Sequence, residues 1–226
     1  MAQSLSVVML GASGAVGGYT VSTLLKMPEV TQLTLLGRRE TPAPVSVARA
    51  IFSQHVVNIE SPDTYGEYIS GHDAAVCTLG VGQPSKMSKA EFVHIDKDVV
   101  IAFATICKQN GVRHFELLCA VGADSKSRSF YLRIKGELED ALVALNFERL
   151  SLFQPSMILT PTNRYGIQQG LTLMFWPMLS PILFGPLHKY RGVRVETLGA
   201  AMAKQLVTEG SGLQRLRWDD FEALTN

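Results

Sequence analysis

The segment that most constrains this chain is the join between Leu5–Leu10 (LSVVML) and the run Gly11-Ala12-Ser13-Gly14-Ala15-Val16-Gly17. A short apolar run that ends on glycine reads as a buried strand. Three glycines at every third position follow it, and a helical pattern then extends to about Met27 and stops at Pro28. In a strand–turn–helix unit, glycine permits a tight turn and lets a pyrophosphate approach the helix N-terminus with no Cβ in the way. The free N–H groups and the helix dipole then stabilise the anion. A glycine pattern alone also fits a tight turn with close helix–sheet packing. The strand before it and the helix after it favour a dinucleotide-binding unit.

The rest of the chain repeats the alternation. Leu33–Leu36 reads as a second strand, His55–Ile59 as a weaker third and Ala74–Leu79 as a fourth. Ser88-Lys89-Ala90-Glu91 has the form of a capping box, opening a helix that runs to Asn110 and ends at Gly111. Phe115–Cys119 is a fifth strand, Phe130–Leu145 a helix, and Leu150–Phe153 a sixth strand before Pro155. Short strands separated by helical crossovers predict an α/β fold with a doubly wound parallel sheet of Rossmann type. We read one domain, with a dinucleotide-binding core over residues 1–160 and a small substrate-side C-terminal appendage over 161–226. The appendage holds an irregular apolar stretch, a helix from Leu198 to Thr208 and a short helix near Asp219–Leu224.

Charge narrows the partners. With 21 basic against 20 acidic residues, the net charge of +1 offers no field to gather phosphates, so nucleic acid is not expected. An apolar fraction of 46% excludes a disordered chain. Cys77, Cys107 and Cys119 are odd in number and read as reduced thiols of a cytoplasmic protein. Leu5–Leu10 is too short, and lacks the basic residues before it, to be a signal peptide. The five histidines (55, 72, 94, 114 and 188) show no ligand spacing with the cysteines, so no metal is expected.

Two pairs of residues carry the chemistry. Arg38 and Arg39 lie where a site preferring NAD carries an acidic residue for the ribose hydroxyl; guanidinium groups there would pair with a 2′-phosphate and favour NADP. Two solvated arginines at a strand end are the plainer alternative. Tyr131 and Lys135 lie four apart on one helix face, beside the apolar stripe Ile134, Leu138, Leu142 and Leu145. A lysine so placed would lower the phenol's pKa and make Tyr131 a better proton donor to a developing alkoxide. Alternatively, Lys135 pairs locally with Glu139, four residues on, at the surface.

Taken together, GASGAVG at 11–17, LLGRR at 35–39, CTLG at 77–80, GVRHFELL at 111–118, GAD at 122–124, YLRIKGELE at 131–139 and FQPSMIL at 153–159 resemble the short-chain dehydrogenase/reductase superfamily. More narrowly, the chain is similar to its atypical branch of Tat-interacting-protein-like oxidoreductases. The resemblance covers about 160 residues in family order. It implies that Gly11, Ser13, Gly14, Ala15 and Val16 hold the pyrophosphate of NADP (NADPH) and that Arg38 and Arg39 take the 2′-phosphate. It implies Leu79 and Gly80 on the adenosine side, Pro155 and Ser156 near the nicotinamide, Tyr131 as acid/base, and Lys135 as its electrostatic helper and ribose ligand. Members usually carry a serine that polarises the carbonyl where this chain has Cys119, a weaker donor. Ser125, Ser127 and Ser129 are candidates to compensate; Cys119 itself reads either as a reactive or redox-sensing thiol of the catalytic set or, more plainly, as a buried inert one. Asn58 stands where relatives often carry aspartate.

From Tyr165 to His188 there is no Asp, Glu, Lys or Arg in 24 residues. Pro177, Pro181 and Pro186 break its most apolar part, 171–187, so no transmembrane helix is expected. It reads as an apolar wall of a substrate cleft, as a surface for a second copy, another protein or a membrane, or as a segment buried on the sheet. Two functions follow as expectations. One is an NADP-dependent oxidoreductase acting on a small, apolar carbonyl or quinone-like acceptor. The other is a non-enzymatic NADP-binding module that acts through protein–protein contact.

Overall fold

The computed structural model describes residues 4–42, 50–81, 86–161, 183 and 185–226. The strands are β1 (Leu5–Leu10), β2 (Val30–Gly37), β3 (Ile51–Val56), β4 (Ala74–Cys77), β5 (His114–Leu118), β6 (Arg149–Phe153), β7 (Ile158–Leu159), β8 (Val193–Arg194) and β9 (Gly212–Leu216). The helices are α1 (Ala15–Leu24), α2 (Lys89–Val93), α3 (Val99–Gln109), α4 (Phe130–Ala144), α5 (Val195–Gln205) and α6 (Trp218–Thr225). A π-helical turn, His94–Asp98, joins α2 to α3.

Seven strands form one sheet in the order β3-β2-β1-β4-β5-β6-β9, with every neighbouring pair parallel. Parallel strands need helical crossovers, which cover both faces and make the central strands apolar throughout. Val8, Leu10, Cys77, Phe115 and Leu117 pack on one face with α3 and α4, while Val7, Met9, Val76 and Phe153 pack on the other with α1 and α5. The expected doubly wound sheet is thus present.

Its two edges depart from the sequence reading. The third strand is Ile51–Val56, not His55–Ile59. Its polar residues are its anchors, with Ser53 Oγ donating to Thr34 Oγ1 at 3.1 Å, while Ile51 is 73% exposed. The more apolar Val57–Ile59 leaves the sheet through a turn in which Asn58 Oδ1 accepts the Glu60 N–H. The seventh strand of the sheet, β9, carries no strand signal: in GLQRL the leucines stand three apart around Gln214 and Arg215, and only Leu216 is buried. Local signals held better. Ser88 N–H donates to Glu91 Oε2 at 2.9 Å and Glu91 N–H to Ser88 Oγ at 3.2 Å, closing the capping box that starts α2.

Candidate functional site

Because the sheet is parallel, the ends of β1, β2, β4, β5 and β6 open on one edge, and the strand order reverses between β1 and β4. Ligands of open α/β sheets bind in the crevice at such a reversal. Gly11 has φ +99°, and a Cβ there would stand 2.5 Å from the backbone nitrogen of Leu79. A Cβ on Gly17 would strike the carbonyl oxygen of Gly11. Thr78 Oγ1 closes the contact by donating to Gly11 O at 3.0 Å. Helix α1 starts at Gly14 with no side-chain cap and no acidic residue in its first turn. Its first N–H groups and its dipole are therefore left for an anion. This cradle fits the pyrophosphate of a dinucleotide.

A cavity of about 60 Å³ beside the turn brings together Gly11, Ser13, Arg38, Arg39 and Leu79. It adjoins a cleft of about 540 Å³ lined by Ser13, Gly14, Ala15 and Arg39. Val16 is buried, so it would serve through its backbone alone. Both arginines are exposed and, among the described residues, neither forms an ion pair. Glu40, which sequence reasoning passed over, lines both spaces. At the far side, Pro155 is buried and its carbonyl accepts the Val121 N–H at 2.9 Å, which ties the end of β6 to the loop after β5; Ser156 beside it is half-buried.

The helix pair is assembled differently from the expectation. Lys135 is 4% exposed and its Nζ lies 2.7 Å from Asp96 Oδ1, itself 1% exposed. Glu139 is not its partner. That carboxylate is buried and accepts from Gln154 Nε2 at 2.8 Å and from Arg215 Nε at 3.3 Å. Asp96 escaped the sequence reading although a signal was there: it occupies a core slot in the stripe Phe92, Val99, Val100, Phe103 and Cys107. Tyr131 is half-buried and its ring packs 5.7 Å from that of Phe92. Burial raises the pKa of the phenol, and Lys135 offsets this only in part, so the net shift is upward. Lys135 does pull the phenol's pKa down as expected, but desolvation raises it by more.

Cys119 sits just past β5, 7% exposed, with its thiol turned toward the carbonyl oxygen of Lys135 at 3.9 Å. Burial pushes this thiol up, so it is neither a thiolate nor turned outward. Of the candidate serines, Ser125 has its backbone nitrogen against Gly136, and Ser127 Oγ accepts the Ser129 N–H at 3.2 Å. Asn58 is engaged locally, its amide donating to Ser61 Oγ at 3.0 Å. Most of the apolar stretch 171–187 lies outside the described residues. Among the described residues no three His, Cys, Asp or Glu side chains gather as a metal site needs, and no helix is long and apolar enough to cross a membrane.

Comparison with known proteins agrees with this geometry. Residues 11–148 match a family described as NAD(P)H-binding. The chain is 34% identical to Protein HTATIP2 of Rattus norvegicus over 214 residues, covering 95% of this chain and 86% of that protein. It is 28% identical to the mitochondrial protein fmp52 of Emericella nidulans, covering 68% of this chain and 66% of the relative. Among solved structures, MoeE5 in complex with UDP-glucose and NAD superposes with a TM-score of 0.70 at 13% identity, covering 93% of this chain and 75% of that one. The UDP-glucose 4-epimerase of Thermotoga maritima gives 0.68 at 14% identity, covering 98% and 82%. At such identities the structures speak for the fold alone. The chain belongs to the NAD(P)H-binding family, as an atypical short-chain dehydrogenase/reductase similar to Protein HTATIP2.

Proposed function

We propose that this protein is an NADPH-dependent reductase of a small, rather apolar carbonyl or quinone-like acceptor. The observation that carries the reading is a buried Lys135 beside Tyr131, on the sheet edge that also holds the glycine cradle. Bound NADPH would supply the hydride. Tyr131, which burial keeps protonated near neutral pH, donates its proton to the acceptor oxygen as that oxygen gains charge. Lys135 stabilises the phenolate that remains until solvent returns the proton. Gly11, Ser13, Gly14, Ala15 and the Val16 backbone would hold the pyrophosphate, Leu79 and Gly80 would flank the adenosine side, and Pro155 and Ser156 the nicotinamide side. The three free, buried cysteines suit a reducing compartment such as the cytoplasm.

NADP is favoured over NAD because Arg38 and Arg39 stand exposed at the cavity with no ion pair among the described residues. Cofactor fluorescence titrations test this. Changing both to Ala is expected to weaken NADPH by about 10–100-fold and leave NADH unchanged. Equal loss for both would remove the assignment. For the reaction, a panel of carbonyls and quinones should show NADPH oxidation that falls about 10²–10⁴-fold in Tyr131→Phe while NADPH still binds. A mutant as fast as the parent would end the proposal.

A second reading, a binding module that uses NADP occupancy to bias contact with another protein or a second copy, is favoured by one observation. The residue at the usual serine position is a thiol turned inward. If Cys119→Ser speeds NADPH oxidation, the reductase reading stands; if no acceptor is reduced by either form while NADPH binds, the module reading does.

A further inference from the structure

Asp96 is an acid placed where core residues belong. Its Oδ1 meets Lys135 Nζ at 2.7 Å, and its Oδ2 accepts the Val81 N–H at 2.8 Å. It is carried on the π turn His94–Asp98, a helix irregularity that often accompanies functional positions. Gly80 roofs the pair. A Cβ there would stand 3.3 Å from Asp96 Oδ1 and 3.9 Å from Lys135 Nζ, and Gly80 itself is exposed. The ion pair thus lies one glycine below the surface at the end of β4. An ammonium at this depth with no counter-charge would shed its proton, because burial penalises the charged form.

We propose that Asp96 is the positioning residue of the Tyr131–Lys135 pair: its carboxylate keeps Lys135 ionised before any cofactor or substrate arrives and holds the ammonium beneath Gly80. This rests on the reductase reading for its purpose, since Lys135 serves Tyr131 there. The other groups near the pair are Cys77 from β4, Cys119 after β5, and Tyr131 and Glu139 from α4. Burial holds both thiols protonated, and Glu139 is taken by Gln154 and Arg215. Lys97 of the π turn is occupied by Glu137 at 2.9 Å. Among the described residues Asp96 is therefore the one carboxylate in contact with Lys135. Burial works against the charge on Lys135, yet Asp96 and the other nearby groups outweigh it and the net shift is upward. Tyr131 and Lys135 titrate as a coupled pair. Whichever loses the first proton, it leaves more easily once the neighbouring negative charge is gone.

The test is an NMR titration of the whole protein, isotopically labelled at the lysine ε-carbons, without cofactor or substrate. The Lys135 signal is assigned by its loss in Lys135→Met. In the unmodified protein Lys135 is expected to titrate above the exposed lysines. In Asp96→Asn its midpoint should fall by about 1–3 pH units, and Asp96→Glu should recover part of the shift. With an acceptor in hand, the alkaline limb of the reductase profile should move the same way. A Lys135 that titrates with or below the exposed lysines, or does not move in Asp96→Asn, overturns the proposal. If Asp96→Asn does not fold, the titration of the unmodified protein still decides. The two readings fail separately: full activity in Tyr131→Phe sinks the reductase reading alone, and an unperturbed Lys135 sinks the role of Asp96 alone.

Discussion

Two groups of buried ionisable side chains lie on opposite faces of the sheet, and they balance charge in opposite ways. On the α4 side, Asp96 and Lys135 touch at 2.7 Å, and there the pull of Asp96 and the other nearby groups on the Lys135 charge outweighs burial. On the α5 side, β5 and β6 present His114, Glu116, Arg149 and Ser151. Glu116 is fully buried, and among the described residues neither of its oxygens has a hydrogen-bond partner. His114 Nε2 lies 3.5 Å from Glu116 Oε1 but 2.9 Å from Ser151 Oγ. Burial pushes Glu116 well above the carboxylate range, disfavouring its anion, and His114 down to about 3, so the imidazole is neutral near pH 7. The Arg149 guanidinium turns to neutral acceptors, donating to Thr208 O, to Thr208 Oγ1 at 2.7 Å and to Gln214 Oε1 at 3.2 Å. Similar burial therefore yields an ion pair at one site and, at the other, an imidazole and a carboxyl whose charged forms are disfavoured beside an arginine bonded elsewhere. Direct contact between opposite charges makes the difference.

The sharpest way to break this contrast is to remove one partner of the ion pair. Lys135→Met should cost about 3–5 kcal/mol in urea unfolding, because it strands the Asp96 carboxylate in the interior. Adding Asp96→Asn should recover part of that loss; a single mutant within about 1 kcal/mol of the parent would mean the pair is solvated after all.

A smaller effect belongs to His114. Between about 3 and its ordinary value of 6.5 the folded state binds fewer protons than the unfolded chain. Its contribution is complete above pH 6.5 and is lost as the pH falls toward 3, with a slope of up to about 1.4 kcal/mol per pH unit. His114→Gln should flatten the acid side of the stability curve, and an unchanged slope would show the imidazole is not the cause.

The smallest effect is at Glu116, with the opposite sign. Its folded-state pKa is raised, so the stability it confers is present below the unfolded value and declines as the pH rises above that. Glu116→Gln should match the parent near pH 4 and gain on it as the pH rises toward 7. A clear loss at pH 7 would show that Glu116 is ionised and bonded.

The sequence was legible where the interaction is local. The capping box at Ser88 needs only three residues of spacing, and the glycine turn only seven. Both appear as read. The edge strands were read poorly because an edge strand packs on few neighbours and need not be continuously apolar. Ser53 and Gln54 therefore hid β3, and Gln214 and Arg215 hid β9. The Tyr131–Lys135 spacing was visible, but its setting was not. Sequence proximity offered Glu139 as the partner of Lys135, while the fold brought Asp96 from 39 positions away.

The chain by itself determined the class of fold, the glycine turn after β1 and the helical face shared by Tyr131 and Lys135. All three follow from periodicity and from the steric freedom of glycine. Tertiary structure alone decided which acid faces Lys135, that Cys119 turns its thiol inward, and that Tyr131 is held protonated more by burial than it is acidified by its lysine. Proton affinities depend on water excluded and on charges met across space, and the helices and strands that exclude that water come from distant parts of the chain.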